Sequence, residues 1–390
     1  MLAELRILAE LRRHPGAKVI YLAPYRTLAS QVEASLHGGL KAANLSVRDY
    51  GADIDLGEAE DFVQNEISDV AVMTPEKFDA LLRLSDSTRT GAGEMKIYLA
   101  SVRLFVWDEL QVVGRSGRGP RLELLVTRIR QRFPQVPFLG LSGVIAGEEK
   151  IAQWLNATVL GSKQRPTGVL EALWKPNGEL RARIPGGGSI KIGELGRQDR
   201  PFDAAADLVA LLETKVRPVL VMSTRPDYAA SILAAIHKRT PHMGEQWLLS
   251  LKENERRRLF EAAEEVEALL GDQDLAVCLR SGLALHHARL PTTILRNVER
   301  LAEDGLLRAI VSTPTVAEGA HLPFRAVVIP HLNFSNAARR LEKDLYDNIV
   351  GRAGRAGVAA EGMVFVLGSS ASSLQTYVEN VLWREERAPL

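Results

Sequence analysis

Leu104-Phe105-Val106-Trp107-Asp108-Glu109-Leu110-Gln111 runs from four large apolar residues straight into two carboxylates. A strand that is apolar on both faces belongs inside a parallel sheet covered by helices, and ligand sites in such sheets lie at the carboxyl ends of the strands. An aspartate there can hold Mg²⁺, usually through water, and a neighbouring glutamate can orient or deprotonate an attacking water. The same letters also fit a helix N-cap followed by an acidic first turn. This stretch therefore points to a fold and leaves the chemistry open.

Similar apolar runs recur at 19–23, 70–73, 138–141, 219–222, 309–311, 326–329 and 363–367, each followed by a polar turn and a helical stretch. That alternation predicts an α/β doubly wound architecture. The strands fall into two sets, giving a first domain over 1–160 and a second over 202–390. Residues 161–201, rich in Gly, Pro and charge around Gly186-Gly187-Gly188, are expected to connect them, with a small hairpin at 169–174 and 180–184. The N-terminus reads as an amphipathic helix presenting Leu2, Leu5, Leu8 and Leu11, and 251–270 as a charged surface helix carrying Arg256, Arg257 and Arg258.

The 390 residues (42.8 kDa) suffice for a core in each of two domains. A formal net charge of +1 exerts no global pull on nucleic acid, so any such binding needs a local groove. Cys278 is the only cysteine, which excludes an internal disulfide and fits a cytoplasmic location. No apolar run reaches the roughly 18 residues of a membrane span, and no membrane partner is expected.

Further segments carry chemistry. Val350-Gly351-Arg352-Ala353-Gly354-Arg355 places two arginines three apart, on one face if helical, where guanidinium groups could bind phosphate; a basic surface turn is the equal alternative. Ser312-Thr313-Pro314-Thr315 follows a strand directly, as do Tyr21-Leu22-Ala23-Pro24-Tyr25-Arg26 and Thr74-Pro75-Glu76-Lys77. Each sets hydroxyls, amides or a cation beside a helix start, which suits a grip on a nucleic-acid backbone; for the first, an N-capped helix with Thr313 or Thr315 as the cap is the alternative. His286-His287 has no third ligand at a recognisable spacing, so zinc is rejected and packing or a backbone contact is expected.

Taken in chain order, these segments resemble the superfamily 2 helicases, and within them the DExH-box, Ski-like group. Asp108-Glu109-Leu110-Gln111 is similar to motif II, Ala23-Pro24-Tyr25-Arg26 to motif Ia and Thr74-Pro75-Glu76-Lys77 to motif Ib. Leu141-Ser142-Gly143 lies where motif III is expected, Ser223-Thr224-Arg225 resembles motif IV, and Leu285-His286-His287-Ala288 the stretch before motif V. Residues 313–323 resemble motif V and 348–355 motif VI. The resemblance implies two tandem RecA-like lobes with ATP between them and single-stranded or partly duplex DNA or RNA across them. It implies that Asp108 coordinates Mg²⁺, that Glu109 activates water, and that Arg352 and Arg355 reach the phosphates, Arg355 as the finger. Gln111, Glu318, Gly319, Asn348 and Gly351 would meet the nucleotide. Pro24, Arg26, Thr74, Pro75, Lys77, Thr224, Arg225, Thr313 and Thr315 would touch the strand, and Ser142 would couple the lobes.

The chain departs from that pattern at several points. Gln111 replaces His, Gly143 and Val144 replace the Ala-Thr of motif III, and Asn348 replaces Gln. No G-x-x-x-x-G-K-[ST] is spelled anywhere; Gly16-Ala17-Lys18 precedes a strand instead of following one, and Gly161-Ser162-Lys163-Gln164 lacks the following hydroxyl. The expectation is a helicase core truncated at its ends, lacking the first strand and phosphate loop of its first lobe and inactive alone. A further helicase segment or a partner chain would then supply the loop. The alternative is a non-catalytic nucleic-acid-binding or regulatory subunit that keeps the fold.

Overall fold

Lys18–Leu22 forms β1, and its unbroken apolar run is buried on both faces, as a central parallel strand requires. The computed structural model describes residues 2–50, 68–88, 91–114, 118–143, 148–161, 168–184, 187–197, 200–313, 324–333, 340–354, 361–368 and 372–383, which cluster into two units, 1–160 and 161–390.

In the first unit, helix α1 (Leu2–Arg13), β1, α2 (Arg26–Lys41), β2 (Val47–Asp49), β3 (Val70–Met73), α3 (Pro75–Ser85), α4 (Ala92–Ser101), β4 (Val102–Trp107), α5 (Gly119–Arg132), β5 (Phe138–Gly140) and α6 (Glu148–Leu155) follow one another. The sheet order is β2-β3-β1-β4-β5, parallel throughout. Its faces are populated by alternation. Ile20, Leu22, Phe105 and Trp107 pack with Phe78, Leu81, Met95 and Ile129 on one side. Val19, Tyr21, Leu104 and Val106 pack with Ile7, Leu28 and Val32 on the other. Leu22 is level with both Met73 and Trp107, so β1, β3 and β4 end together.

Helix α1 buries only part of the expected leucine row, with Leu11 buried and Leu8 packed against the core. Ala3, Ile7, Glu10 and Leu11 are buried while Leu2 and Leu5 are exposed. The true period is i, i+4, i+8, closer to 3.6 than a strict repeat of three. Glu10 tolerates burial because the Arg6 guanidinium pairs with it at 2.6 Å.

The second unit contains β6 (Gly168–Trp174), β7 (Glu179–Arg183), β8 (Ser189–Glu194), α7 (Pro201–Leu212), β9 (Val219–Met222), α8 (Pro226–Arg239), α9 (Pro241–Ser250), α10 (Glu253–Leu270), α11 (Gln273–Arg280), β10 (Leu283–His286), α12 (Thr292–Glu303), β11 (Ala309–Ser312), β12 (Ala326–Ile329), α13 (Lys343–Val350), β13 (Glu361–Leu367) and α14 (Ser372–Tyr377). The sheet order is β10-β11-β9-β12-β13-β6-β7-β8. It is parallel as far as β6 and antiparallel beyond. The α/β architecture of a parallel sheet and a mixed sheet is consistent with tandem RecA-like lobes.

The stretch 161–201, expected as a connection, contributes three strands, β6, β7 and β8, among its described residues. β6 pairs along its full length with β13, and the expected hairpin gains a third strand, β8. The physical reason is Ala172, Leu173 and Trp174, which are buried in the core of the second unit. Helix α10 buries only Leu259, Ala262, Ala263 and Val266, leaving the arginine-bearing side facing outward. It stops at Gly271 with φ +66°, the left-handed C-cap that favours glycine.

Candidate active site

Asp108 extends β4 by one ladder bond, its N–H donating to Leu22 O at 2.9 Å. On the other flank, Leu141 N–H donates to Trp107 O and Leu110 N–H to Leu141 O, both at 2.8 Å. The two carboxylates thus sit at the carboxyl edge of the sheet between the ends of β1 and β5, each half-buried. Both Asp108 oxygens are held: the Tyr21 hydroxyl donates to Oδ2 at 2.8 Å and the Glu109 N–H to Oδ1 at 2.9 Å. Glu109 has φ +49°, a left-handed conformation that costs a non-glycine residue roughly 1–2 kcal/mol. Such strain persists only where the surroundings over-determine it. Here Gln111 Nε2 donates to Glu109 Oε2, and Ser142 Oγ donates to Gln111 Oε1 at 2.6 Å.

A hydrogen-bonded chain therefore runs Ser142–Gln111–Glu109, and a second bond runs Tyr21–Asp108. Gln111, expected at the nucleotide, is placed between Glu109 and Ser142. Burial, then the Asp108 charge, raises the Tyr21 hydroxyl far above the ordinary phenol range, so it stays protonated and remains a donor. Mg²⁺ fits this donor set: it keeps most of its waters and needs one or two carboxylates plus phosphate oxygens. Among the described residues no group of three or more His, Cys, Asp or Glu could cage a metal by itself. Asp108 would supply the protein oxygen, and the ion would supply charge neutralisation at a phosphate.

The other turns of this edge are built from buried residues. Pro24 is buried where β1 ends, and Arg26 opens α2. Thr74 is the N-cap of α3, its side chain accepting from Lys77 N–H at 3.4 Å, with Pro75 in the first turn. Lys77 itself is buried, at 7% exposure.

In the second unit the corresponding turns also gather at strand ends, since His286, Ser312 and Met222 are level. Thr224 is buried, its hydroxyl donating to Asn333 O at 2.6 Å and its N–H to His331 Nε2 at 3.3 Å. Arg225 lies over the Tyr228 ring at 4.4 Å and pairs with Asp227 at 3.0 Å. Thr313 is buried, its N–H reaching His286 O at 3.3 Å. His286 Nε2 lies 3.0 Å from Glu299 Oε1, with both side chains buried. Helix α13 carries Asn348 and ends at Gly351, with Arg352 buried at 8% exposure. A Cβ on Gly354 (φ +66°) would lie 2.5 Å from Gly362 N. That glycine serves the close approach of the turn to β13. Thr315, Glu318, Gly319 and Arg355 lie outside the described residues, as does the Arg26 side chain.

Sequence reading missed Tyr21 as the partner of Asp108. One signal was available: a phenol in an otherwise aliphatic buried strand needs a partner for its hydroxyl. It also missed Tyr346, whose hydroxyl donates to Glu171 at 2.7 Å and accepts from Trp383 Nε1 at 2.9 Å, tying α13 to β6.

Residues 1–151 match the family model described as DEAD/DEAH box helicase. An ATP-dependent DNA helicase Hel308 of Pyrobaculum calidifontis is 28% identical over 371 residues, 93% of this chain and 48% of the relative. One of Pyrococcus horikoshii is 28% identical over 362 residues, 91% and 44% respectively. One of Methanocella arvoryzae is 26% identical over 396 residues, 98% and 49%. The chain spans about half the length of the curated relatives it matches. Its first unit is thus similar to a DEAD/DEAH box helicase domain, and nearly the whole chain to the corresponding half of Hel308 helicases.

Proposed function

We propose that this chain forms the motor core of an ATP-dependent DNA helicase of the Ski-like group, with ATP and Mg²⁺ as its cofactors and a DNA strand as its track. The observation that carries this reading is the edge of the first sheet. The turns resembling motifs Ia, Ib, II and III begin level there, and the Asp108-Glu109 pair is locked by bonds to Tyr21 and through Gln111 to Ser142. Asp108 would hold the metal, Glu109 would orient the attacking water, and Arg352 and Arg355 would answer the phosphate charge. The choice of DNA follows the Hel308 relatives. Pro24, Arg26, Thr74, Pro75, Lys77, Thr224, Arg225, Thr313 and Thr315 would act through the strand-end turns they build. With most of the described ones buried, backbone amides and Arg225 would make the direct contacts. Cys278, buried and free, fits the cytoplasmic setting such a motor works in.

Hydrolysis also needs an amide cradle and a lysine on the β/γ-phosphates. Residues 1–390 do not spell that loop, so by themselves they are expected to turn ATP over slowly. The test is DNA-stimulated ATP hydrolysis by these residues joined to such a loop. Glu109→Gln should lose at least a hundredfold in turnover while nucleotide binding persists. Turnover within threefold of the parent would remove Glu109 from the role. Salt-sensitive single-strand binding with no nucleotide dependence and no turnover would favour a non-catalytic subunit.

A further inference from the structure

Tyr21 is almost wholly buried, at 4% exposure, with its ring among Val19, Val72, Leu104 and Val106. Its register opposite Val106 puts it on the sheet face that Asp108 also takes two residues later, so the two side chains meet diagonally across β1 and β4. Ring and hydroxyl separate in function: the ring fills the core, and the oxygen emerges at the sheet edge on Asp108 Oδ2 at 2.8 Å. The other oxygen, Oδ1, accepts the Glu109 N–H. Two donors from two directions fix the rotation of the carboxylate, and the group they fix is only half-buried.

We propose that Tyr21 is the positioning residue of the metal-binding carboxylate, holding Asp108 in one rotation for a divalent cation. This rests on the reading of Asp108 as a metal ligand. A carboxylate that accepts a neutral hydroxyl keeps its charge for the cation while losing the freedom to swing away from it. Outer partners of this kind typically carry 10–100-fold in metal affinity. A packing role alone would leave cation binding untouched, because phenylalanine keeps the ring that packs.

The experiment uses Mn²⁺ alone as the probe, titrated into the 390-residue chain, with paramagnetic broadening of the Ala23, Glu109 and Ser142 amide signals as the readout. In the parent these signals broaden at a defined Mn²⁺ concentration, and Asp108→Asn abolishes that site. Tyr21→Phe is expected to shift the half-broadening concentration upward about tenfold, with its amide spectrum otherwise native. If Asp108→Asn removes the site and natively folded Tyr21→Phe titrates like the parent, the positioning role is wrong and the metal reading stands. If the parent shows no site that depends on Asp108, the metal reading fails and the positioning role fails with it. Should Tyr21→Phe not fold, Tyr21 carrying a 3-fluoro substituent decides: it keeps the shape and alters the strength of the hydroxyl as a donor. An unchanged titration then overturns the proposal.

Discussion

Arg308 and Glu213 form a buried ion pair in the second unit. Their side chains are 1% and 0% exposed. Arg308 Nε and Nη2 donate to the two Glu213 oxygens at 2.9 and 2.7 Å, and Nη1 donates to Ser281 O at 3.0 Å. The guanidinium is a planar fork that a lysine could not imitate. Glu213→Gln keeps the shape but turns an amide donor toward an uncompensated buried cation. Breaking one side of such a pair costs about 3–5 kcal/mol, a large fraction of the roughly 5–15 kcal/mol that holds a domain together. Hydrogen exchange of the β9 and β11 amides measures this locally. At about 1.4 kcal/mol per tenfold, protection should fall roughly a hundredfold to a few thousandfold. The double change Arg308→Met with Glu213→Leu removes both charges and should recover most of the loss, leaving about 1 kcal/mol for the Ser281 carbonyl. A loss under about 1 kcal/mol in Glu213→Gln, or a double variant worse than the single one, would refute the reasoning.

Other consequences are equally open to measurement. Gly354→Ala combines a left-handed φ of +66° with a Cβ 2.5 Å from Gly362 N, so it should destabilise the second unit by about 2–4 kcal/mol, seen as a lower midpoint in urea. Gln111→Leu cuts the chain from Ser142 to Glu109, and loss of a hydrogen bond to a charged group is worth about 1.5–3 kcal/mol. In a loop-bearing protein kcat should drop roughly tenfold to a hundredfold with little change in KM, and the reverse pattern would place Gln111 at the nucleotide. Burial, then the nearby Arg225 charge, lowers His331 from the ordinary 6.5 to about 4. The folded state therefore holds it neutral where the unfolded chain takes up a proton. The second unit should lose stability as pH falls from about 6.5 to about 4 and lose no more through this group below that; His331→Gln should flatten that limb of the pH–stability curve.

The strands were legible because burial on both faces writes an unbroken apolar run, as in Val19, Ile20, Tyr21 and Leu22. The expected strand regions all form, and the carboxylate pair lies at a strand end as read. What escaped reading were β2, β8 and the short buried β10, and charge along 161–201 hid its place in a sheet. β8 alternates Ile190 and Ile192 with Lys191, and β7 carries Arg181 and Arg183, so 161–201 looked like a connection. Its membership of the second sheet depends on pairing with β13, almost two hundred residues away in sequence. The nucleic-acid candidates show the same limit. Thr74, Lys77, Thr224 and Thr313 read as contacts to a nucleic-acid backbone, and no local pattern told that their side chains are buried.

By itself the sequence determined the parallel strands, the placing of Asp108-Glu109 at a strand end, the order of the segments that resemble helicase motifs, and the absence of a phosphate-loop pattern within these residues. All of these depend on neighbours along the chain. The tertiary structure alone decided which hydroxyl holds Asp108, which amide holds Glu109, and which glycine is required by a backbone passing at contact distance. Those depend on register between strands: Tyr21 meets Asp108 only because β1 lies level with β4, and no local pattern encodes that distance.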